Sequence, residues 1–435
     1  MIGGRRLALL IVTLGAVALR MGGPAEPASV KTELPNGFTI LVNENRATAV
    51  VAASLFVRLG AREETEDTAG ISNLLQQVMV KGTASRSALD IAVAAEDIGG
   101  GISVESDADF SAIHGTALGR HWKGLLDLLA DVGLRPALAQ DELDGERRLV
   151  LRGIRNRQDQ PFALALDTLT ARLYGVHPYG RPPLGRAPAI ERLDRSALQA
   201  HHARYYRAGR MILSVSGDVT SGEVMAEARR LFSEAAPGDA GPDAIPAAPS
   251  PARDHIGVAH PSAQAQVLMG FLAPPIGHPD YAPMKVLAAA LGGGMGGRLF
   301  TELRDKKGLA YSTGATYPSR VGPSHLLARM GTGPANAGRA EDAMRQEIER
   351  IRDQGVTAGE LERARMYLLG QFALDRRTNA RLCWYAAFFE SAGVGHDFAA
   401  RYIRTVLAVT AEDIRRVAKH YLGPPTVVSL GPGAR

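Results

Sequence analysis

Residues 70–83, Gly-Ile-Ser-Asn-Leu-Leu-Gln-Gln-Val-Met-Val-Lys-Gly-Thr, decide how this chain is read. Ile71, Leu74, Leu75, Val78 and Met79 recur at helical spacing, which predicts a helix with one apolar face in a core. The same run holds three amides, Asn73, Gln76 and Gln77. Positions i, i+3 and i+4 share a helix face, so the amides form one polar patch, expected on a surface.

Outward from this helix, the same order of elements occurs twice. Leu34-Pro35-Asn36-Gly37-Phe38 marks a turn between short β-like stretches, and residues 50–59 read as a buried strand. Gly99-Gly100-Gly101 is a break, 102–118 alternates like strands, 122–132 and 140–154 are helical, and 211–216 is a strand ending at Gly217. The second half follows suit with a strand at 267–272, a helix at 281–291 and a break at Gly292-Gly293-Gly294. Strands within 309–330, helices at 340–353 and 360–369 and a strand at 427–430 complete it. Glu142-Leu143 with Glu146-Arg147 resembles Glu360-Leu361-Glu362-Arg363, and Tyr206 before its strand resembles Tyr421 before its own. The offsets, 361 − 143 = 218 and 421 − 206 = 215, nearly agree, as divergent tandem copies give. Residues 235–253, dense in Pro, Ala, Gly and Asp, read as a linker. The reading is therefore α+β: two domains, 29–234 and 254–435, each with an antiparallel or mixed sheet packed by helices.

Composition removes several function classes. Cys383 is the single cysteine, which excludes a disulfide scaffold and thiolate metal clusters. Net charge is +5 with mixed signs, as in Arg62-Glu63-Glu64, and without the dense basic stripe of a nucleic-acid binder. Arg5 and Arg6 precede an apolar run over 7–19, the pattern of a signal peptide ending near residue 28. With no other apolar run long enough to span a bilayer, the expectation is an exported bacterial protein of the periplasm, with no integral membrane domain after signal removal.

The 70–83 run resembles the active-site helix of the insulinase/pitrilysin-type zinc metallopeptidases, whose inverted motif His-x-x-Glu-His sits between a leading Gly and a trailing Lys-Gly-Thr. The frame fits without a gap. The second half supplies the family's other landmark: Leu291 to Met295 through the glycines, Arg298-Leu299-Phe300, Glu302-Leu303-Arg304 and Gly308-Leu309-Ala310-Tyr311-Ser312. The resemblance spans essentially the whole chain after residue 28, and implies tandem domains forming half of a clam-shell chamber for peptides.

The departures matter as much. In the family two imidazoles at i and i+4 grip zinc, and the Glu before the second activates water. Here those positions are Asn73, Gln77 and Gln76. An amide is a poor zinc ligand, and Gln76 lacks a lone pair basic enough to take a proton from water. The third ligand stands seven residues after another acid; with Glu146 as that acid, its slot is Gly153. No metal or cofactor is therefore expected in this chain. His201-His202 are adjacent, point to different helix faces and are expected on a solvated surface.

What remains is a pair. Arg304 and Tyr311 are seven apart, as in the Arg/Tyr pair that, by resemblance, reaches toward the zinc site and stabilises the scissile carbonyl. The plain alternative is an Arg304 ion pair with Glu302 or Asp305 and a buried Tyr311. A ruined metal motif beside an intact pair resembles the non-catalytic subunit of heterodimeric processing peptidases. That implies a catalytic partner with an intact His-x-x-Glu-His, zinc in that partner, and peptide substrates. A homo-oligomeric peptide-binding or scaffold protein is the other reading. Gly292, Gly294 and Gly297 satisfy G-x-G-x-x-G, but a helix rather than a strand precedes them and no acid occurs within 307–340 before Glu341, so a dinucleotide site is excluded. By resemblance Gly292, Gly293 and Gly294 form a substrate loop bordering the chamber.

Overall fold

The computed structural model describes residues 29–238, 245–250 and 253–434. The signal-peptide segment 1–28 and parts of the linker lie outside the described residues. The chain contains two mixed sheets of the same design. The first consists of β1 (Val30–Glu33), β2 (Thr39–Glu44), β3 (Val50–Val57), β4 (Gly101–Ser106), β5 (Ser111–Leu118) and β6 (Met211–Gly217), in the order β1-β2-β6-β3-β5-β4. The second consists of β7 (His255–Ala259), β8 (Ala265–Ala273), β9 (Ser312–Thr316), β10 (Ser324–Thr332) and β11 (Thr426–Gly431), in the order β7-β11-β8-β10-β9. β2 runs parallel to β6, and β7 to β11; the remaining pairs are antiparallel. The two orders superpose strand for strand, with β1 the extra edge. Both central strands end on a glycine of positive φ, Gly217 at +149° and Gly431 at +159°. Their separation, 431 − 217 = 214, matches the duplication read from sequence.

Both faces of each sheet carry buried side chains, and this shapes how the halves join. Along a strand, successive side chains point to opposite faces. On β3, Val51, Ala53, Leu55 and Val57 enter the first half's own core, while Phe56 enters the second half's. On β6, Met211, Leu213 and Val215 do the former and Ile212 the latter. The element covering that second face is the helix Asn379–Ser391, which belongs to the second half. Reciprocally, the helix Pro161–Tyr174 of the first half lies on the second sheet, where Ala165 and Leu169 pack on Leu268, Leu327, Val428 and Leu430. A Cβ on Gly270 would lie 2.8 Å from Leu169 Cδ2, so glycine sets the approach of that helix. The exchanged helices begin 379 − 161 = 218 residues apart.

Polar groups fix the exchange. Asn379 is buried. Its Nδ2 donates to Val50 O at 2.7 Å and Thr48 Oγ1 at 3.2 Å, and its Oδ1 accepts from Asn45 Nδ2 at 2.7 Å and Ser216 Oγ at 3.3 Å. Cys383 Sγ donates to Ser214 O at 2.7 Å. At the far seam, the Tyr179 hydroxyl donates to Asp109 and accepts from Gly322 N at 2.9 Å, Asp109 accepts from Val321 N at 3.0 Å, and Arg320 pairs with Asp107. No helix of the described residues is long and apolar enough to cross a membrane.

Asn379→Ala strips four hydrogen bonds from the seam. The expected loss is about 2–4 kcal/mol of unfolding free energy, measured as a lower urea midpoint in one cooperative transition. An unchanged midpoint contradicts this role.

Candidate functional site

The amide-bearing helix is Ile71–Met79. It starts at Gly70, whose φ of +97° is left-handed. A Cβ there would sit 2.7 Å from Gly185 Cα and from Leu184 O, so the start of the helix requires glycine. Glu64 caps the helix: its carboxylate accepts from Gly70 N at 2.7 Å and Ser72 N at 3.0 Å, an acid on the positive end of the helix dipole. Burial pushes the Glu64 carboxyl up to about 7, while the bonds from Gly70 and Ser72 and the Arg181 charge pull it down. In the sequence nothing marks Glu64 as this cap except an acid six residues ahead of the helix-starting glycine.

The three amides do not form the surface patch expected of them. Gln76 is 1% exposed, and its Nε2 donates to the Tyr206 hydroxyl at 2.6 Å. Asn73 is also buried, and Gln77 is half-buried. The reason lies in Tyr206. It is a buried phenol stacked on His202 at 4.4 Å between centroids, and a buried hydroxyl needs a partner. A neutral amide can follow it inward at far less cost than a carboxylate. Asn73 Nδ2 and Gln76 Oε1 stay without hydrogen-bond partners. His201 and His202 are likewise packed rather than solvated, His201 Nε2 bonding Ser72 Oγ at 3.1 Å and His202 Nε2 bonding Gly133 O at 2.9 Å. Burial holds the His201 imidazole down to about 4, with Arg204 and His202 adding to the effect.

The neighbouring helix Gln140–Gln158 packs against Ile71–Met79 and carries Gly153. Apart from its own helix backbone, no atom lies within 4 Å of where a Gly153 Cβ would be, so that slot has room but no side chain. Glu146, seven residues earlier, is buried and pairs with Lys81 Nζ at 3.0 Å. The residues at the family's zinc position are thus two inward-turned amides, a half-buried amide and a glycine. They do not fit zinc, because none offers an imidazole or carboxylate. Among the described residues no group of three or more His, Cys, Asp and Glu could hold a metal ion.

Arg304 and Tyr311 sit on the second half. A helix starting at Arg298 turns π-helical over Phe300–Lys306, a geometry frequent at functional sites. The chain then folds back: Gly308 N bonds Arg304 O at 3.1 Å, Leu309 N bonds Leu303 O at 2.8 Å, and Gly308 has φ +61°. Tyr311 N continues to Gly331 O at 2.9 Å. Arg304 is exposed, its guanidinium 4.8 Å from the Phe300 ring centroid. Glu302 pairs instead with Lys306 at 2.7 Å, and Arg304 has no ion pair among the described residues. Tyr311 is 63% exposed rather than buried. Neither side chain bonds the Ile71–Met79 helix among the described residues, so within this chain the pair and the degenerate motif stay apart. The glycines precede this turn. A Cβ on Gly292 would lie 2.0 Å from Ala315 N and one on Gly293 2.6 Å from Ala289 O; Gly294 has φ +63°. They let the turn close on β9 and present Met295, 76% exposed.

Comparison with known proteins bears on this arrangement. Residues 39–186 match the family model described as "Insulinase (Peptidase family M16)", and residues 192–368 match "Peptidase M16 inactive domain". An uncharacterized zinc protease of Mycobacterium tuberculosis is 29% identical over 92% of this chain and 93% of its own length. The uncharacterized zinc protease YmxG of Bacillus subtilis is 27% identical over 80% and 84%. In fold, the chain is similar to a peptidase M16 inactive domain from Pseudomonas fluorescens (TM-score 0.87, 23% identity, 93% of this chain and 98% of that one). It is also similar to a protease from Helicobacter pylori (TM-score 0.86, 22% identity, 93% and 100%).

Two outcomes follow. After equilibration with zinc and gel filtration, the chain is expected to keep less than about 0.1 zinc per molecule, and the fourfold variant N73H/Q76E/Q77H/G153E about one; stoichiometric zinc on the natural chain contradicts the assignment. For pH, the folded pKa of His201 lies below the unfolded one, so its contribution to stability is complete above about 6.5 and lost as pH falls toward 4. Between pH 6.5 and 4.5 the natural chain should therefore lose more stability than His201→Gln, by up to about 1 kcal/mol per pH unit. Parallel curves in urea titrations contradict it.

Proposed function

This chain belongs to the insulinase (M16) peptidase family, and on that premise we propose that it is the non-catalytic, substrate-binding half of a heterodimeric zinc peptidase that degrades or processes peptides. The observation that carries this reading is the contrast between two places in the fold. At the zinc position the side chains are amides and a glycine, with Gln76 drawn into the core by Tyr206. On the other half, Arg304 and Tyr311 are both exposed and unspent on local ion pairs. A pair kept free in a chain that cannot use it suits work on another chain's site.

In this arrangement the catalytic partner carries the intact His-x-x-Glu-His and holds the zinc. The present chain closes its half of the chamber over the peptide. The Arg304 guanidinium and Tyr311 hydroxyl then meet the scissile carbonyl and stabilise the negative charge it gains in the transition state. The Gly292–Gly294 turn with exposed Met295 borders the same space, and a chamber of this kind admits unfolded peptides rather than folded proteins. Arg5, Arg6 and the apolar run after them support export, with the complex working in the periplasm.

Reconstituted with its catalytic partner, Arg304→Ala is expected to lower kcat about 10²-fold or more, with little change in KM. Both residues are exposed, so the variant's melting temperature should match the natural chain's. A kcat effect below about threefold contradicts the assigned role.

A further inference from the structure

A cleft of about 770 Å³ opens where the second half's helices meet the β4–β5 hairpin of the first, and neither Arg304 nor Tyr311 lines it. Its wall is aromatic, with Phe110, Trp384, Phe388 and Tyr402 among its residues. Lys285, on the helix Tyr281–Gly292, also lines it.

Lys285 is the unusual member. An ammonium carries three donors, and this one makes a single hydrogen bond, to Tyr317 O at 2.6 Å. Two aromatic faces supply the rest of its surroundings, Tyr281 at 5.2 Å and Tyr317 at 5.0 Å from ring centroid to Nζ. Among the described residues no acid pairs with it, and the acids of the cleft are engaged elsewhere. Asp107 pairs with Arg320, Asp375 with Arg381 and the Tyr385 hydroxyl, and Glu105 accepts from Trp384 Nε1 at 2.9 Å and bonds His114 at 3.1 Å. Burial alone holds the Lys285 ammonium down to about 8. A cation in an aromatic cleft, with donors to spare and no counter-ion, is half of an ion pair.

We propose that this cleft is a binding site for an organic carboxylate attached to an aromatic group, with Lys285 pairing the carboxylate and the aromatic wall taking the ring. Two sources present that chemistry: the C-terminal residue of a peptide ending in Phe or Tyr, and a free arylalkyl carboxylic acid. The inference goes beyond the subunit reading and stands whether or not the chain has a catalytic partner.

The test is calorimetry on the full chain without any partner. The probes are phenylacetate and its neutral analogue 2-phenylacetamide, and the tetrapeptide Ala-Ala-Ala-Phe as free acid and as C-terminal amide. At least one acid is expected to bind at least about tenfold more tightly than its amide, and to lose that preference in Lys285→Met. At pH 8, where Lys285 is about half protonated, carboxylate binding should draw in up to about half a proton, read from titrations in two buffers; at pH 6 the uptake should vanish. Tight binding of the tetrapeptide acid alone identifies a reader of peptide ends, and of phenylacetate alone a small-molecule site; either supports the inference. Equal binding of acid and amide, or no binding of any probe, overturns it. The acid–amide comparison on the natural chain keeps the test valid if the variant fails to fold.

Discussion

Neither sheet of this protein can exist with a free face. β8 and β11 carry buried apolar side chains on both sides, β3 and β6 mix Phe56 and Ile212 with buried Ser54, Ser214 and Ser216 on the shared side, and each half covers one face of its neighbour's sheet with a helix of its own. The exchange of Pro161–Tyr174 for Asn379–Ser391 thus buries surface that each half alone would leave in water. A half alone would leave a row of Val, Leu and Ile in water, at about 25 cal/mol for each Å² exposed. Everything functional hangs on this frame. It fixes the Ile71–Met79 helix on one half and the Arg304 turn on the other, and it creates the seam in which the aromatic cleft opens.

Much of the architecture is legible in the sequence because the duplication leaves periodic marks. Apolar spacing locates Ile71–Met79, the runs at 211–216 and 267–272 read as strands, and the offsets near 215 give the repeat. The exchanged helices are harder to see. In Asn379–Ser391 the apolar residues Cys383, Trp384, Ala387, Phe388 and Phe389 surround the helix almost evenly, because one side meets the sheet and the other the second half's core. An element buried all round has no stripe to detect. Half of the candidate site is legible for a related reason: side-chain chemistry can be read in order, while direction cannot. Sequence shows that Asn73, Gln76, Gln77 and Gly153 lack zinc-binding groups. It does not show that Tyr206, 130 residues away, turns Gln76 into the core. Lys285 gives no signal either, since its environment is assembled from Tyr281, Tyr317 and helices distant in sequence.

Loss of the metal ligands and retention of the pair have different structural consequences. Replacing a carboxylate at position 76 by an amide removes the charge that would keep that side chain in water, and the core accepts it. Arg304 and Tyr311 carry no such freedom. They lie on a π-helical turn closed by Leu309 N and Gly308 N, and exposing them there brings no packing benefit to this chain. Their exposure leaves both side chains open to a second molecule.

The proposed role, the zinc-free half of a zinc peptidase, requires a second chain. The most direct test is to isolate the tagged protein from its native host under mild conditions, then determine subunit composition by native mass spectrometry and zinc by elemental analysis. The expected result is a one-to-one complex with a second insulinase-type chain holding an intact His-x-x-Glu-His, and one zinc per complex that leaves with that chain on dissociation. A complex made only of copies of this chain, or zinc that remains with it after separation, would contradict that role.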